Sequence, residues 1–233
     1  MDPAFIQAEL FEGLPESALS EVVARFQRRS FARDEQLFNE GEPATSFFLI
    51  ASGKVKVVQT SVEGTEVILQ VFRPGQLIGA LAVLGEGTYP ATSIALSDGV
   101  VYRISAESFE ELLLLHPQVT LNLLRFATHQ LQVAHRRLRE LATERVERRI
   151  ARAISRLASQ IGKKAERGIT LDAPLTRQDL AELSGTTLYT VSRTLKNWER
   201  QGILLTKREQ VTILDPHALI VIAEDLPETD RPS

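Results

Sequence analysis

This chain has no cysteine. Disulfides, thiolate redox sensing, cysteine-ligated zinc and the usual all-cysteine ligation of iron–sulfur clusters are therefore excluded. It also lacks any run of about eighteen apolar residues, so no segment is expected to span a membrane. The opening Met1-Asp2-Pro3-Ala4-Phe5-Ile6 has no basic stretch ahead of its brief apolar patch. A secretory signal would need one, so a cytoplasmic protein is expected. Nucleophile–base constellations, phosphate loops and metal-spaced histidine/glutamate clusters are missing too, which argues against an enzyme and against a metal site. Carboxylate pairs such as Glu110-Glu111 read most simply as solvated helix surface.

What is present is a charge asymmetry. The net charge of −3 conceals a −8 N-terminal half, where residues 1–117 carry 8 Lys+Arg against 16 Asp+Glu. Residues 118–223 carry 18 against 10, or +8, and the last ten residues carry 1 against 4, or −3. A polyanion-binding module fused to a separate sensor would have this profile. Solvated charge on long helices accounts for the many arginines but not for a change of sign at a boundary. With 233 residues, the chain suits two modest domains.

Residues 5–29 read as a helical lead-in. Short apolar runs with glycine punctuation follow: Gln36-Leu37-Phe38, Phe47 to Ile50, Lys54 to Val58 up to a Glu63-Gly64 turn, and Glu66 to Phe72 up to Pro74-Gly75. Thr92 to Leu96 and Val100 to Ile104 close the series. Strands at this spacing predict an antiparallel β jelly roll over residues 1–117, within an α+β chain. Pro117 can open a long helix over 118–145. Two interleaved seven-residue series run along it, Leu124, Leu131, Leu138 and Ala127, Ala134, Leu141. They make a narrow seam flanked by Arg136, Arg137, Arg139 and Glu140, which favours a parallel two-helix dimer contact. The alternative is a helix that buries those leucines on its own barrel.

Residues 146–165 continue as helix, with Ile150, Ile154, Leu157 and Ile161 on one face. The segment Leu175 to Leu195 then reads as two short helices joined by a turn at Gly185. Thr176, with Asp179 three residues on, can cap the first helix, and Thr187 can cap the second, where it is also expected to contact DNA. On the second helix Leu188, Val191, Leu195 and Trp198 form a stripe expected to pack against the domain. Tyr189, Ser192, Arg193 and Lys196 form another, donor-rich and cationic, suited to bases and phosphates. A plain packing unit is the blander alternative. Leu204 and Leu205, then Gln210 to Leu214, flank Thr206-Lys207-Arg208-Glu209 as a basic-tipped β-hairpin wing. This DNA-binding domain spans 146–223, and 224–233 reads as a disordered acidic tail.

A glycine-punctuated barrel, a dimer helix and a winged helix-turn-helix, in that order, resemble the cyclic AMP receptor protein/FNR family of bacterial transcription regulators. The likeness covers roughly residues 8–222. Its most specific stretches are Gly75 to Gly79, Leu175 to Leu195 and Glu199-Arg200-Gln201-Gly202-Ile203. The resemblance implies a homodimer on palindromic double-stranded DNA, usually controlled by an effector in the barrel, with RNA polymerase as a further partner. Carried over residue by residue, the effector pocket comprises Gly79, Ala80, Leu81, Ala91 and Thr92, with His135 bordering it. Where cyclic AMP-binding members have Gly-Glu-Leu, this chain has Gly79-Ala80-Leu81; where they have Arg-Ser, it has Pro90-Ala91. A methyl cannot accept from a ribose hydroxyl, and proline offers a phosphate no donors. A charged fork of that sort is worth several kcal/mol, or ~3 decades of affinity. The effector is therefore expected not to be a cyclic nucleotide bound in the usual way, and no cofactor is expected. His129 and His135 lie six apart and cannot chelate together. Haem on a lone histidine is the minor alternative.

By the same resemblance Arg193 faces a guanine in each half-site, with Ser192 completing an FNR-type Ser-Arg pair. Tyr189 replaces the glutamate that reads cytosine. Arg177 on the first helix and Lys207 and Arg208 on the wing are placed for phosphates, which give affinity without sequence choice. Two other readings stay open: a permanently active regulator with no ligand, and a regulatory module of an enzyme using the barrel alone.

Overall fold

The computed structural model describes residues 1–60, 66–85 and 87–226. It divides into two compact units, Met1–Gly64 with Leu69–His135, and Thr65–Ile68 with Arg136–Ser233. The Glu63-Gly64 turn and residues 227–233 of the expected tail lie outside the described residues.

The first unit opens with α1 (Pro3–Gln7), a 3-10 turn (Glu9–Phe11) and α2 (Glu16–Ala24). Eight strands follow: β1 (Gln27–Phe31), β2 (Gln36–Phe38), β3 (Ser46–Ser52), β4 (Val55–Thr60), β5 (Glu66–Phe72), β6 (Leu77–Ile78), β7 (Thr92–Ala95) and β8 (Gly99–Ser105). A short helix, α3 (Ala80–Leu84), separates β6 from β7. The strands form two four-stranded sheets, ordered β1-β8-β3-β6 and β2-β7-β4-β5. Their described pairings are antiparallel. This is the expected jelly roll, a double sheet that leaves few strand edges open. Strand β3, with Ser46 to Ile50 buried, runs between β8 and β6 through the core. Phe47 meets Phe109 edge-on at 4.3 Å, and Phe5 meets Phe26 at 5.1 Å, geometries that aromatic quadrupoles favour.

The helical lead-in stops sooner than its apolar pattern suggests. Residues 27–29 belong to β1, whose first four residues are exposed and pair along β8. An edge strand with a polar outer face carries no alternation to read.

After α4 (Ala106–Leu115), Pro117 starts α5 (Pro117–Thr143), a helix of 27 residues. Its inner face buries Val119, Asn122 and Leu123 in the first unit. Asn122 donates to the carbonyls of Leu10 and Glu12 at 3.1 and 2.8 Å.

The second unit takes the C-terminal turns of α5. It continues through α6 (Val146–Ile161), β9 (Gly162–Lys164), β10 (Ile169–Leu171), α7 (Arg177–Ser184), α8 (Leu188–Arg200), β11 (Leu204–Lys207), β12 (Gln210–Ile213) and α9 (Pro216–Glu224). The strands form one sheet, β11-β12-β10-β9. Helix α6 buries the expected Ile150, Ile154, Leu157 and Ile161 but ends at Ile161, short of residue 165. Gly162 explains the stop: a Cβ there would lie 2.2 Å from the Ala158 carbonyl oxygen, so the chain can turn tightly into β9. Helix α9 went unread in the sequence, although Asp215 caps it by accepting from the Ala218 N–H at 2.9 Å and Pro216 takes its first position. Glu224 consequently closes a helix instead of opening a tail, and its carboxylate pairs with Arg152 at 3.0 Å.

The arginines around the seam are not all solvated flanks. Glu140 is only 3% exposed. Arg156 Nη1 donates to its two oxygens at 3.0 and 2.8 Å, with Arg152 Nη1 3.9 Å away. Arg152 also reaches Glu144 at 3.2 Å. The Arg137 guanidinium is pushed down to about 10 by burial and by Arg156, with Glu140 opposing, so it stays charged at neutral pH. Removing one partner of a buried charge cluster leaves the others uncompensated. Glu140→Ala is therefore expected to lower the stability of this unit by about 3–5 kcal/mol. The single tryptophan, Trp198, is buried in the same unit and reports denaturant unfolding there. A loss below ~1 kcal/mol would mean that the arginines gain little from the carboxylate.

Candidate nucleic-acid interface

Helix α7 begins with the full capping box. The Asp179 N–H donates to Thr176 Oγ1 at 3.1 Å, and the Thr176 N–H donates to Asp179 Oδ2 at 2.7 Å. It ends at Gly185, whose φ of +61° is the left-handed conformation that lets the chain leave the helix. A Cβ at that position would also fall 2.5 Å from Leu141 Cδ2. Arg149 of α6 donates to the Ser184 and Gly185 carbonyls at 3.0 and 2.9 Å, satisfying oxygens that the end of α7 leaves open. Arg149 lay unnoticed in a charge run, because its partners are backbone atoms with no sequence signature.

Thr187 caps α8, accepting from the Thr190 N–H at 3.2 Å. Val191, Thr194, Leu195 and Trp198 are buried and fix which face of α8 turns inward. Leu188 departs from the expected packing stripe and is 47% exposed. As the first residue of the helix, its side chain leans over the turn before it instead of into the core. On the outer face Tyr189 is 74% exposed, Thr187, Arg193 and Lys196 are exposed, and Ser192 is half-buried. The structure thus brings the four expected readers, Tyr189, Ser192, Arg193 and Lys196, onto one accessible stripe.

The wing forms as the pattern predicts. Lys207 pairs with Gln210, leaving Arg208 and Glu209 at the tip, and Lys207 and Arg208 are both exposed. Arg177 is half-buried in the first turn of α7, where its Nη2 donates to Thr206 Oγ1 at 3.1 Å. Thr206 in turn donates through its backbone N–H to Glu199 Oε1 at 2.8 Å and through its hydroxyl to the same oxygen. Arg177, Leu188, Lys207 and Arg208 line one groove of about 570 Å³ beside α8. Glu199 and Thr206 stood in stretches the sequence singled out, but their linkage to each other and to Arg177 carries no charge pattern or period that would reveal it.

The expected effector residues lie around α3 and β7. Ala80 and Ala91 are 3% and 2% exposed, and Thr92 accepts from the Glu40 N–H at 3.0 Å. Gly79 precedes α3, adjoined by the ring of Tyr89, which stacks on Phe38 at 4.1 Å. Leu81 is partly exposed, and His135 faces solvent on α5. Among the described residues no group of three or more His, Asp or Glu could hold a metal. Along α5, Leu124, Leu131, Leu138 and Leu141 are each more than half exposed and Ala134 is exposed, so the leucines are not buried on their own barrel.

Residues 28–116 match the family described as Cyclic nucleotide-binding domain, and residues 148–222 match Crp-like helix-turn-helix domain. The chain is 30% identical over 195 residues to the cyclic AMP receptor protein of Thermus thermophilus, covering 84% of this chain and 87% of that protein. It is 25% identical over 219 residues to a CRP-like cAMP-activated global transcriptional regulator of Mycobacterium tuberculosis, covering 94% and 98% respectively. In fold it resembles FixK2 from Bradyrhizobium japonicum, with a TM-score of 0.74, 23% identity and coverage of 84% of this chain and 96% of that one. With both modules present in the same order, and with that likeness running along most of its length, the chain belongs to the cyclic AMP receptor protein/FNR family of DNA-binding transcription regulators.

Proposed function

We propose that the protein works as a homodimer in the bacterial cytoplasm, without catalysing a reaction, and reads a two-fold-related DNA site with Arg193. The observation that carries this reading is the division of α8: one stripe is locked into the core by Val191, Leu195 and Trp198, and the opposite stripe presents Tyr189, Arg193 and Lys196 to solvent. A helix held in this way can enter a major groove as a rigid reader. Arg193 supplies the bidentate fork suited to guanine O6 and N7. Tyr189 replaces a charged acceptor with a neutral hydroxyl, so the half-site diverges from that of glutamate-bearing relatives at the adjacent base. Arg177, Lys207 and Arg208 grip phosphates. The seam of Leu124, Leu131, Ala134, Leu138 and Leu141 supplies the dimer contact, since an exposed apolar stripe on a long helix is stable when a second helix covers it. RNA polymerase is the further partner wherever binding activates transcription.

The barrel does not hold a cyclic nucleotide in the usual way. Ala80 buries a methyl where a ribose acceptor would be needed, and Pro90-Ala91 brings no cation or donor to a cyclic phosphate. A polar effector at Thr92, haem on the lone His135, or no effector at all, each fits these residues.

Three outcomes test this reading. Arg193→Ala should lose about 1–3 kcal/mol of preference for the palindrome found by binding-site selection, while keeping weak general DNA affinity. Unchanged selection of the same guanine would refute the assignment. Replacing Leu131 and Leu138 together by glutamate should turn the dimer into monomers in sedimentation velocity and abolish tight binding to a two-half-site duplex. A variant that stays dimeric places the interface elsewhere. Cyclic AMP at millimolar concentration should leave the melting temperature unchanged, because only a ligand that binds the folded state raises it. A rise of several degrees would restore a nucleotide as effector.

A further inference from the structure

Resting on the reading that α8 lies against DNA, we propose that Glu199 and Thr206 are positioning residues that lock the wing and the Arg177 guanidinium into one phosphate clamp. A hydroxyl has one donor and two acceptor lone pairs. Thr206 spends the donor on Glu199 Oε1 and accepts from Arg177 Nη2, so a single side chain links the end of α8, the wing strand β11 and the first turn of α7. The Thr206 backbone N–H adds a second bond to the same carboxylate oxygen at 2.8 Å. On the far side of the hairpin the Leu175 N–H donates to the Glu209 carbonyl at 3.1 Å, tying the wing tip to the residue just before the α7 cap. The wing is held at two points, and both anchors lie beside Arg177.

The consequence is electrostatic. Arg177, Lys207 and Arg208 line a single groove with Thr176 and Gln178, and Glu209 is its acidic member. The bond to Thr206 uses one of five guanidinium N–H groups and fixes the plane of the fork, leaving its other edge for a phosphate. An arginine pre-oriented in this way loses less side-chain freedom on meeting the duplex. Glu199 never touches the nucleic acid. It acts by holding Thr206, and through it Arg177, in place.

The test uses the full-length protein, a random-sequence duplex and the selected palindrome. Fluorescence anisotropy is measured across a salt series, with thermal melting in parallel. Thr206→Val should weaken binding to both duplexes by the same factor, roughly tenfold at moderate salt. It should also flatten the slope of log K against log salt by about two, one phosphate per subunit of a dimer. Thr206→Ser, which keeps the hydroxyl, should restore both. Arg177→Ala should show the same loss of slope, and adding Thr206→Val to it should change nothing further. Arg177→Ala also keeps the test decisive if Thr206→Val fails to fold, because its half-exposed side chain can be shortened without opening the core. An unchanged slope in Arg177→Ala, or in a folded Thr206→Val with only a lowered melting temperature, would reduce the linkage to ordinary structure and overturn the proposal. So would a loss confined to the palindrome. If the wild type itself fails to prefer the palindrome, and Arg193→Ala matches it, the DNA-reading assignment fails instead.

Discussion

The buried carboxylate of Glu140 is the constraint on which the second unit depends. Taking a charge out of water costs several kcal/mol, and only good geometry with charged partners offsets it. Arg156 and Arg152 of α6 supply that geometry and so tie the last turns of α5 to α6 through side-chain ion pairs. From the same α6, Arg149 caps the end of α7 at Ser184 and Gly185. Arg148 donates to the Ala223 carbonyl at the end of α9. One helix therefore carries apolar contacts on its inner stripe and, through its arginines, fixes the elements on three sides.

A reading helix needs this kind of support. Its outer residues can discriminate bases only if its axis and rotation are set before DNA arrives, since every freedom still to be lost weakens binding. The buried stripe of α8 sets the rotation, the Gly185 turn sets the angle to α7, and the Glu199–Thr206–Arg177 chain sets the wing. The three devices differ in chemistry: apolar packing, backbone handedness and directed hydrogen bonds.

Legibility in the sequence followed physical range. The capping box at Thr176-Asp179, the Gly185 turn and the basic hairpin were readable because each is a local device spanning two to four residues. The jelly roll was readable from glycine-punctuated apolar runs, except at β1, where the polar face of an edge strand hides its pairing with β8. Leu188 was misjudged because helical periodicity does not include the backward lean of side chains at a helix start. The Glu140 cluster and the Glu199 linkage were illegible for another reason. A carboxylate among arginines looks the same in sequence whether water or protein surrounds it, and partners 7 or 16 residues away leave no period. The expected effector residues were legible only as missing chemistry, a methyl and a proline where charge would be required.

The geometry of α5 near its C-terminus has a mechanical corollary. Leu138 and Leu141 face outward on a stripe about 100° round the helix from the one that carries Arg137 and the buried Glu140. Successive residues of an α-helix are about 100° apart. Torsion of this rod by a single residue step would thus expose the carboxylate to water and bury leucines against guanidinium groups. Within the second unit the last two turns of α5 are therefore held against torsion.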